Sequence, residues 1–271
     1  KQTIGTGKEA VDSIRIIWPN QSFTTIVKPA VNQLHNIQYD VNKANKNGWS
    51  AYPPVATYFQ QQDSLFAAHK EDEHVDFFYE RNIPFMLSTQ GPKAATADVN
   101  NDALTDVYIG GAKGQPGALY LQTSNGFRLA DVPDFTTFAF NDVTAALFFD
   151  CDKDGDMDLF TGGGGNFAAP GTGGYQNQLF INDGNGNFTL KRGAIPMFNT
   201  NCGAVAAYDY DKDGAIDLFI GSRSVSQSYG ATPESFLLRN DGQGNFTDVT
   251  TTIVEPLLQA LLYALDVLIQ G

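Results

Sequence analysis

The sequence predicts an all-β fold assembled from small, repeated antiparallel sheets, and three observations predict it. An acidic nine-residue pattern occurs three times, as DVNNDALTD (98–106), DCDKDGDMD (150–158) and DYDKDGAID (209–217). Each copy runs into a β-branched and aromatic stretch stopped by a small residue, DVYIGG (106–111), DLFTGG (158–163) and DLFIGS (217–222), the composition of a short strand. A hairpin signal follows each time: LYLQTSNGFRL (119–129), QLFINDGNGNFTL (178–190) and FLLRNDGQGNFTDV (236–249). Their Asn, Asp and Gly residues tolerate the left-handed backbone that tight turns require. Abundant glycine (27 residues) and few charges (17%) suit such a turn-rich chain.

The acidic pattern carries the chemistry. Positions 1, 3, 5 and 9 hold short oxygen-bearing side chains: Asp98, Asn100, Asp102 and Asp106 in the first loop, Asp150, Asp152, Asp154 and Asp158 in the second, and Asp209, Asp211, Asp213 and Asp217 in the third. Alternate residues of a tightly curled loop aim their oxygens at one centre, and position 7 adds a main-chain carbonyl, from Leu104, Asp156 and Ala215. Six to eight hard oxygens are what Ca²⁺ takes, so the loops predict up to three calcium ions. Position 6 must turn sharply; Gly155 and Gly214 do so freely, whereas Ala103 makes the first loop the weakest candidate. An EF-hand would place a bidentate Glu at position 12 between two helices. Here position 12 is Ile109, Thr161 or Ile220, inside the following strand.

One unit is therefore an inner strand, an acidic loop, a second strand, a variable loop and a terminal hairpin, four antiparallel strands in all. The first-position aspartates lie 52 and 59 residues apart. Four strands at this period predict propeller blades, because each small sheet must cover its faces with neighbours. Counted from the loop aspartates, the repeats run 98–149, 150–208 and 209–257, with a partial fourth from 258, in a repeat region of 91–271. Three or four blades do not close a ring of ordinary size, so the propeller is expected to be partial or incomplete. Over residues 91–250 the recurring loop, strand and hairpin resemble the FG-GAP/VCBS repeat family, whose calcium-loop blades build integrin-like β-propellers. That resemblance implies a secreted or cell-surface location.

Residues 1–45 have a different texture. VDSIRIIWPN (11–20) alternates apolar and polar residues and ends in a Pro-Asn turn, and residues 22–40 predict two further short strands. GTGKEAVDSIRIIWPN resembles the ASPIC/UnbV segment, which in its family follows such repeats; an ordinary hairpin pair is the alternative. The chain lacks an initial methionine, and a mature or excised piece of a longer protein is the expectation.

Residues 46–90 form a connecting segment. Its cluster of His69, Glu71, Asp72, Glu73, His74 and Asp76 has the residue types of a transition-metal site, with solvated charge on an exposed loop as the commoner reading. A similar His-Glu, Pro and Gly-Pro stretch leads into the repeats of large bacterial members of the family, which implies a structural role.

The variable loops, GGGGNFAAPGTGGYQ (162–176) and SRSVSQSYGATPES (222–235), are polar and longer than turns. Loops of that kind on a rigid scaffold are where ligands meet proteins. Phe167, Tyr175, Gln176, Arg223 and Tyr229 are the residues predicted to contact a glycan or protein. Cys151 and Cys202, at opposite ends of adjacent inner strands, are too far apart for a disulfide. Two readings stay open for the tail (255–271), the start of a fourth blade or a terminal helix.

The formal charge of −13 is largely loop chemistry, since the loops hold twelve of the 30 acidic residues, and it argues against nucleic-acid partners. No apolar run reaches the ~20 residues of a membrane span. No nucleophile, phosphate-binding or dinucleotide motif occurs. The leading expectation is a non-enzymatic, calcium-stabilised extracellular scaffold for binding or adhesion. The alternatives are a propeller-based polysaccharide lyase or hydrolase using His69, His74 or Tyr79, and a structural spacer of a large surface protein.

Overall fold

The computed structural model describes residues 10–45, 65–137, 139, 142–167, 175–198 and 201–253. The expected fourth repeat from 258 and both readings of the tail lie outside the described residues. The chain divides into two compact units, 1–62 and 63–271.

In the first unit, β1 (Ser13–Ile17) and β2 (Phe23–Val27) form an antiparallel hairpin over five paired positions. Its turn is closed by the Trp18 N–H donating to the Ser22 carbonyl and by Trp18 Nε1 donating to Thr24 Oγ1, each at 2.9 Å. Of the two strands expected over 22–40, only β2 forms. Lys28 takes a left-handed backbone (φ 48°) and Pro29 has no N–H for a ladder, so pairing stops there. Asn45 returns to pair with Phe23 instead.

In the second unit the expected all-β architecture is borne out as three four-stranded antiparallel meanders. The first comprises β3 (Ala94–Ala97), β4 (Asp106–Ile109), β5 (Ala118–Thr123) and β6 (Gly126–Leu129). A short helix, α1 (Pro133–Thr137), leads to the second: β7 (Asp142–Phe149), β8 (Asp158–Gly164), β9 (Gln178–Asn182) and β10 (Phe188–Leu190). The third comprises β11 (Asn201–Tyr208), β12 (Asp217–Ser224), β13 (Phe236–Asn240) and β14 (Phe246–Asp248). The first strands are neighbours, with β7 between β3 and β11, as in successive blades of a partial propeller. Each sheet begins at its inner strand, ahead of the loop aspartate from which the period was counted.

Strand alternation decides the packing. In β8, Leu159 joins the core of Val99, Tyr108 and Leu119 from the first sheet, while its neighbour Phe160 joins Cys202, Leu218 and Ile220 from the third. The second sheet is thereby covered on both faces, and every residue of β8 is buried. Burying each such side chain contributes about 1.5–3 kcal/mol.

The glycine run assigned to a loop from residue 162 instead extends β8 to Gly164. A Cβ on Gly162 would collide with Cys202 Sγ, and one on Gly164 with Thr144 Oγ1 and Asn201 Oδ1. These glycines are there for close approach of sheets. Cys151 and Cys202 are both buried and unbridged.

Candidate functional site

The three acidic loops share one backbone. In each, the first-position carboxylate accepts the position-6 N–H: Ala103 to Asp98 at 2.7 Å, Gly155 to Asp150 at 3.1 Å and Gly214 to Asp209 at 2.9 Å. The position-5 aspartate accepts the position-7 N–H, from Leu104, Asp156 and Ala215. Position 6 has positive φ throughout (65°, 92° and 85°), a conformation that costs Ala103 about 1–2 kcal/mol. Position 4 is left-handed too, at Asn101, Lys153 and Lys212, a feature for which the two lysines give no sequence signal.

The ninth-position aspartates are more deeply structural than the spacing suggests. Asp106, Asp158 and Asp217 are buried, and each bridges two strands. One oxygen accepts the N–H at position 2 of the same loop, from Val99, Cys151 or Tyr210. The other accepts an N–H from the third strand, from Gln122, Asn182 or Asn240. Burial raises the pKa of all three, with these hydrogen bonds opposing it.

The loops differ in how their carboxylates converge. Ligand atoms of Asp150, Asp152 and Asp154 lie within 4.8 Å of one another, as do those of Asp209, Asp211 and Asp217. One oxygen each of Asp152 and Asp209 is buried without a hydrogen-bond partner, and these acidic groups could hold a metal ion. Desolvation, then Asp154, pushes the pKa of Asp152 up. Among the described residues the first loop assembles no such group: Asp98 is spent on backbone N–H groups, and Asn100 donates to Asp102 at 3.0 Å. In the third loop Arg239 intervenes, its Nε 2.8 Å from Asp211 and its NH2 2.9 Å from Asp213. The Ala215 N–H and then Arg239 hold Asp213 below the usual carboxylate range. Asp156 points away from its own loop and accepts from Asn101 of the preceding one at 3.0 Å, consistent with a main-chain role at position 7.

Adjacent repeats are stitched by an asparagine that spacing alone did not single out. Asn182 Nδ2 donates to the Val99 carbonyl of the preceding loop at 2.8 Å, and Asn240 Nδ2 to the Cys151 carbonyl at 2.7 Å. Each Oδ1 accepts an N–H of its own hairpin turn. The signal was the repeated Asn-Asp-Gly of those turns.

Residues 65–91 form a strap rather than the exposed charged loop expected. Asp76 is fully buried and accepts from the Leu87 and Ser88 N–H groups. Ala67 donates to Tyr120 of the first sheet, Glu80 accepts from Asn166 after the second, and Arg223 of the third donates to Gln90 and the Leu87 carbonyl. His69 lies 3.4 Å from Glu71, and His74 lies 3.5 Å from Asp76 and stacks on Tyr79. No metal-type group forms in this strap among the described residues.

The five residues expected to meet a ligand divide. Tyr175 is only 1% exposed and packs against Phe167, so it is a wall and not a contact. Phe167 is half-buried beneath Lys113, and the Gln176 backbone lies against Gly163. Arg223 is committed to the strap, while Tyr229 is exposed at 62% beside it on one cleft.

The blades and their loops thus define a repeat protein of the β-propeller class. The FG-GAP-like repeat profile matches residues 98–161 and 167–220, and the ASPIC and UnbV profile matches residues 1–44. The chain carries FG-GAP-like repeats and an ASPIC and UnbV segment, as the two resemblances implied, with the segment here ahead of the repeats. Comparison with curated proteins gave no match. Repeats of this family are typically extracellular, and among the described residues no helix is long and apolar enough to cross a membrane.

Proposed function

We propose that this chain is a calcium-stabilised, non-enzymatic extracellular scaffold that binds a protein or glycan through the strap and variable-loop end of its sheets. The observation that carries the reading is the convergence of carboxylates around the buried, unpartnered oxygens of Asp152 and Asp209. Hard oxygens alone, on short alternate side chains, suit Ca²⁺ over softer metals. A bound ion would relieve the repulsion among Asp150, Asp152 and Asp154 and hold the second loop shut, coupling metal binding to folding. An ion in the loops would stiffen the blades, and the strap and variable loops would meet the partner.

The test is thermal unfolding in CaCl₂ and in EDTA, followed by binding to glycan and protein panels. Calcium at a hundredfold excess over Kd adds about 2.7 kcal/mol per site, and Asp152→Asn should remove most of the rise. Equal melting temperatures in the two buffers would sink the calcium reading. Turnover of a glycan that disappears in His69→Ala or His74→Ala would sink the non-enzymatic one.

A further inference from the structure

Successive sheets meet by three kinds of contact. Ala145, Phe149 and Phe160 of the second sheet enter a shared core with Ala207 and Leu218 of the third. The fourth residue of an acidic loop reaches over the next repeat: Asn101 donates to Asp156 and to the Gly184 carbonyl, and Lys153 sets its Nζ beside Gly214 and Gly242. The hairpin asparagine of the later repeat, Asn182 or Asn240, holds the second-position carbonyl of the loop before it.

Each end of the array carries half of that set. On the third sheet, Ala204, Tyr208 and Phe219 occupy the places of Ala145, Phe149 and Phe160, and all three are exposed. Lys212, at the place of Lys153, is exposed and forms no ion pair with a described residue. Among the described residues no amide reaches the Tyr210 carbonyl, which matches those of Val99 and Cys151. On the first sheet, Thr96 pairs with Val107 as Ala207 pairs with Leu218, on the face turned away from the second sheet; Thr96 is exposed and Val107 half-buried. The first loop presents an exposed Asp102. Gln122 stands where Asn182 and Asn240 stand, its N–H on the ninth aspartate as theirs are, and its amide bonds to no described residue.

We propose that two copies of this chain pair head to tail, the outer face of each third sheet on the outer face of the other copy's first sheet, closing a ring of six blades. Head-to-tail faces form a closed ring when the rotation returns on itself, and six blades lie within the four to eight that propellers use. Each Lys212 then meets Asp102 of the other copy, and each Gln122 reaches a Tyr210 carbonyl. Phe66 already lies on Tyr120 and Phe127, over the outer strands of the first sheet. The pairing therefore uses the inner strands, as β11 does against β7 and β8. It buries less than an internal junction and dissociates on dilution.

The test is sedimentation of the full chain in CaCl₂ over a wide range of concentration, which should show monomer passing to dimer and no larger species. Phe219→Glu and Thr96→Lys, both at exposed positions, should each raise the dissociation constant at least about thirtyfold, the scale of losing a central interface contact. Mixed in equal amounts, the two variants should recover much of the pairing. One junction of the mixed ring is then unaltered, and the other sets the introduced glutamate against the introduced lysine. Lys212→Glu should weaken pairing severalfold, and more at low salt than at high. Melting temperatures of the dilute variants equal to the parent's would assign these losses to pairing and not to folding. A chain that stays monomeric, a ladder of larger species, or variants that fail to rescue each other would overturn the proposal. Loss with Phe219→Glu alone, without rescue, would mean that two third sheets pair face to face. A monomer at every concentration that Phe219→Glu strongly destabilises would give the face to residues 254–271 instead.

Discussion

The second and third repeats are built from nearly the same text, yet matched residues do different work in them. Phe160 and Phe219 follow the ninth aspartate by two positions in β8 and β12; one is fully buried and the other 48% exposed. Phe149 and Tyr208 end the matched inner strands, at 6% and 72%. The acidic loops diverge as well: where the third repeat places Arg239 against Asp211 and Asp213, the second has Ile181. Where the second opens with Asp142, the third opens with Asn201. A repeat thus fixes its own backbone, whereas burial comes from the next sheet and loop charge from one side chain on the third strand.

Truncating the matched phenylalanines should separate the repeats most. Phe160→Ala empties a site packed from two sheets and is expected to cost about 3–5 kcal/mol. Phe219→Ala should stay within about 1 kcal/mol by urea unfolding, because its ring is half in water already. Similar losses at both would mean that the third sheet is covered in solution as the second is.

The loops come next. Removing Asp152 should delete most of the calcium-induced stabilisation, up to about 2.7 kcal/mol for a well-occupied site, whereas Asp211→Asn should delete less, since Arg239 already neutralises the third loop. Calorimetric titration of both variants would decide it, and the reverse order would break the comparison. A smaller effect is expected from Arg239→Ile, which copies the second repeat. Exposed ion pairs contribute little, so stability in EDTA should fall slightly while the third loop's calcium affinity rises.

The subtlest exchange is Asp142→Asn, which copies the third repeat. The folded carboxyl titrates near 7 against 3.8 for the unfolded chain, so the native state holds the proton more tightly. Its contribution is complete below pH 3.8 and is lost as pH rises through 7. The variant should match the parent near pH 4 and exceed it near pH 8; parallel curves across that range would exclude burial of the charge.

Much of this was legible because it is written three times. Loop spacing, strand tags and hairpin turns recur, and recurrence separates a pattern from chance. What was hidden is what occurs once or acts at a distance. Arg239 looks like any strand residue until register brings it over a loop more than twenty positions earlier. The strap is unrepeated, and its carboxylates read as solvated charge because their partners, the N–H groups of Leu87 and Ser88 and the amide of Asn166, are remote in sequence. Tyr175 read as exposed because a glycine-rich stretch looks like a loop; those glycines instead let sheets touch.

The asparagine stitches give the array a direction. Asn240 grips the carbonyl of Cys151, a residue whose N–H is held by Asp158, so a rearranged second loop tugs on the third sheet through a rigid relay. The first and second acidic loops are thereby each held by an asparagine of the following repeat, so strain introduced at one blade should be felt at the next, as a ratchet passes load along its teeth.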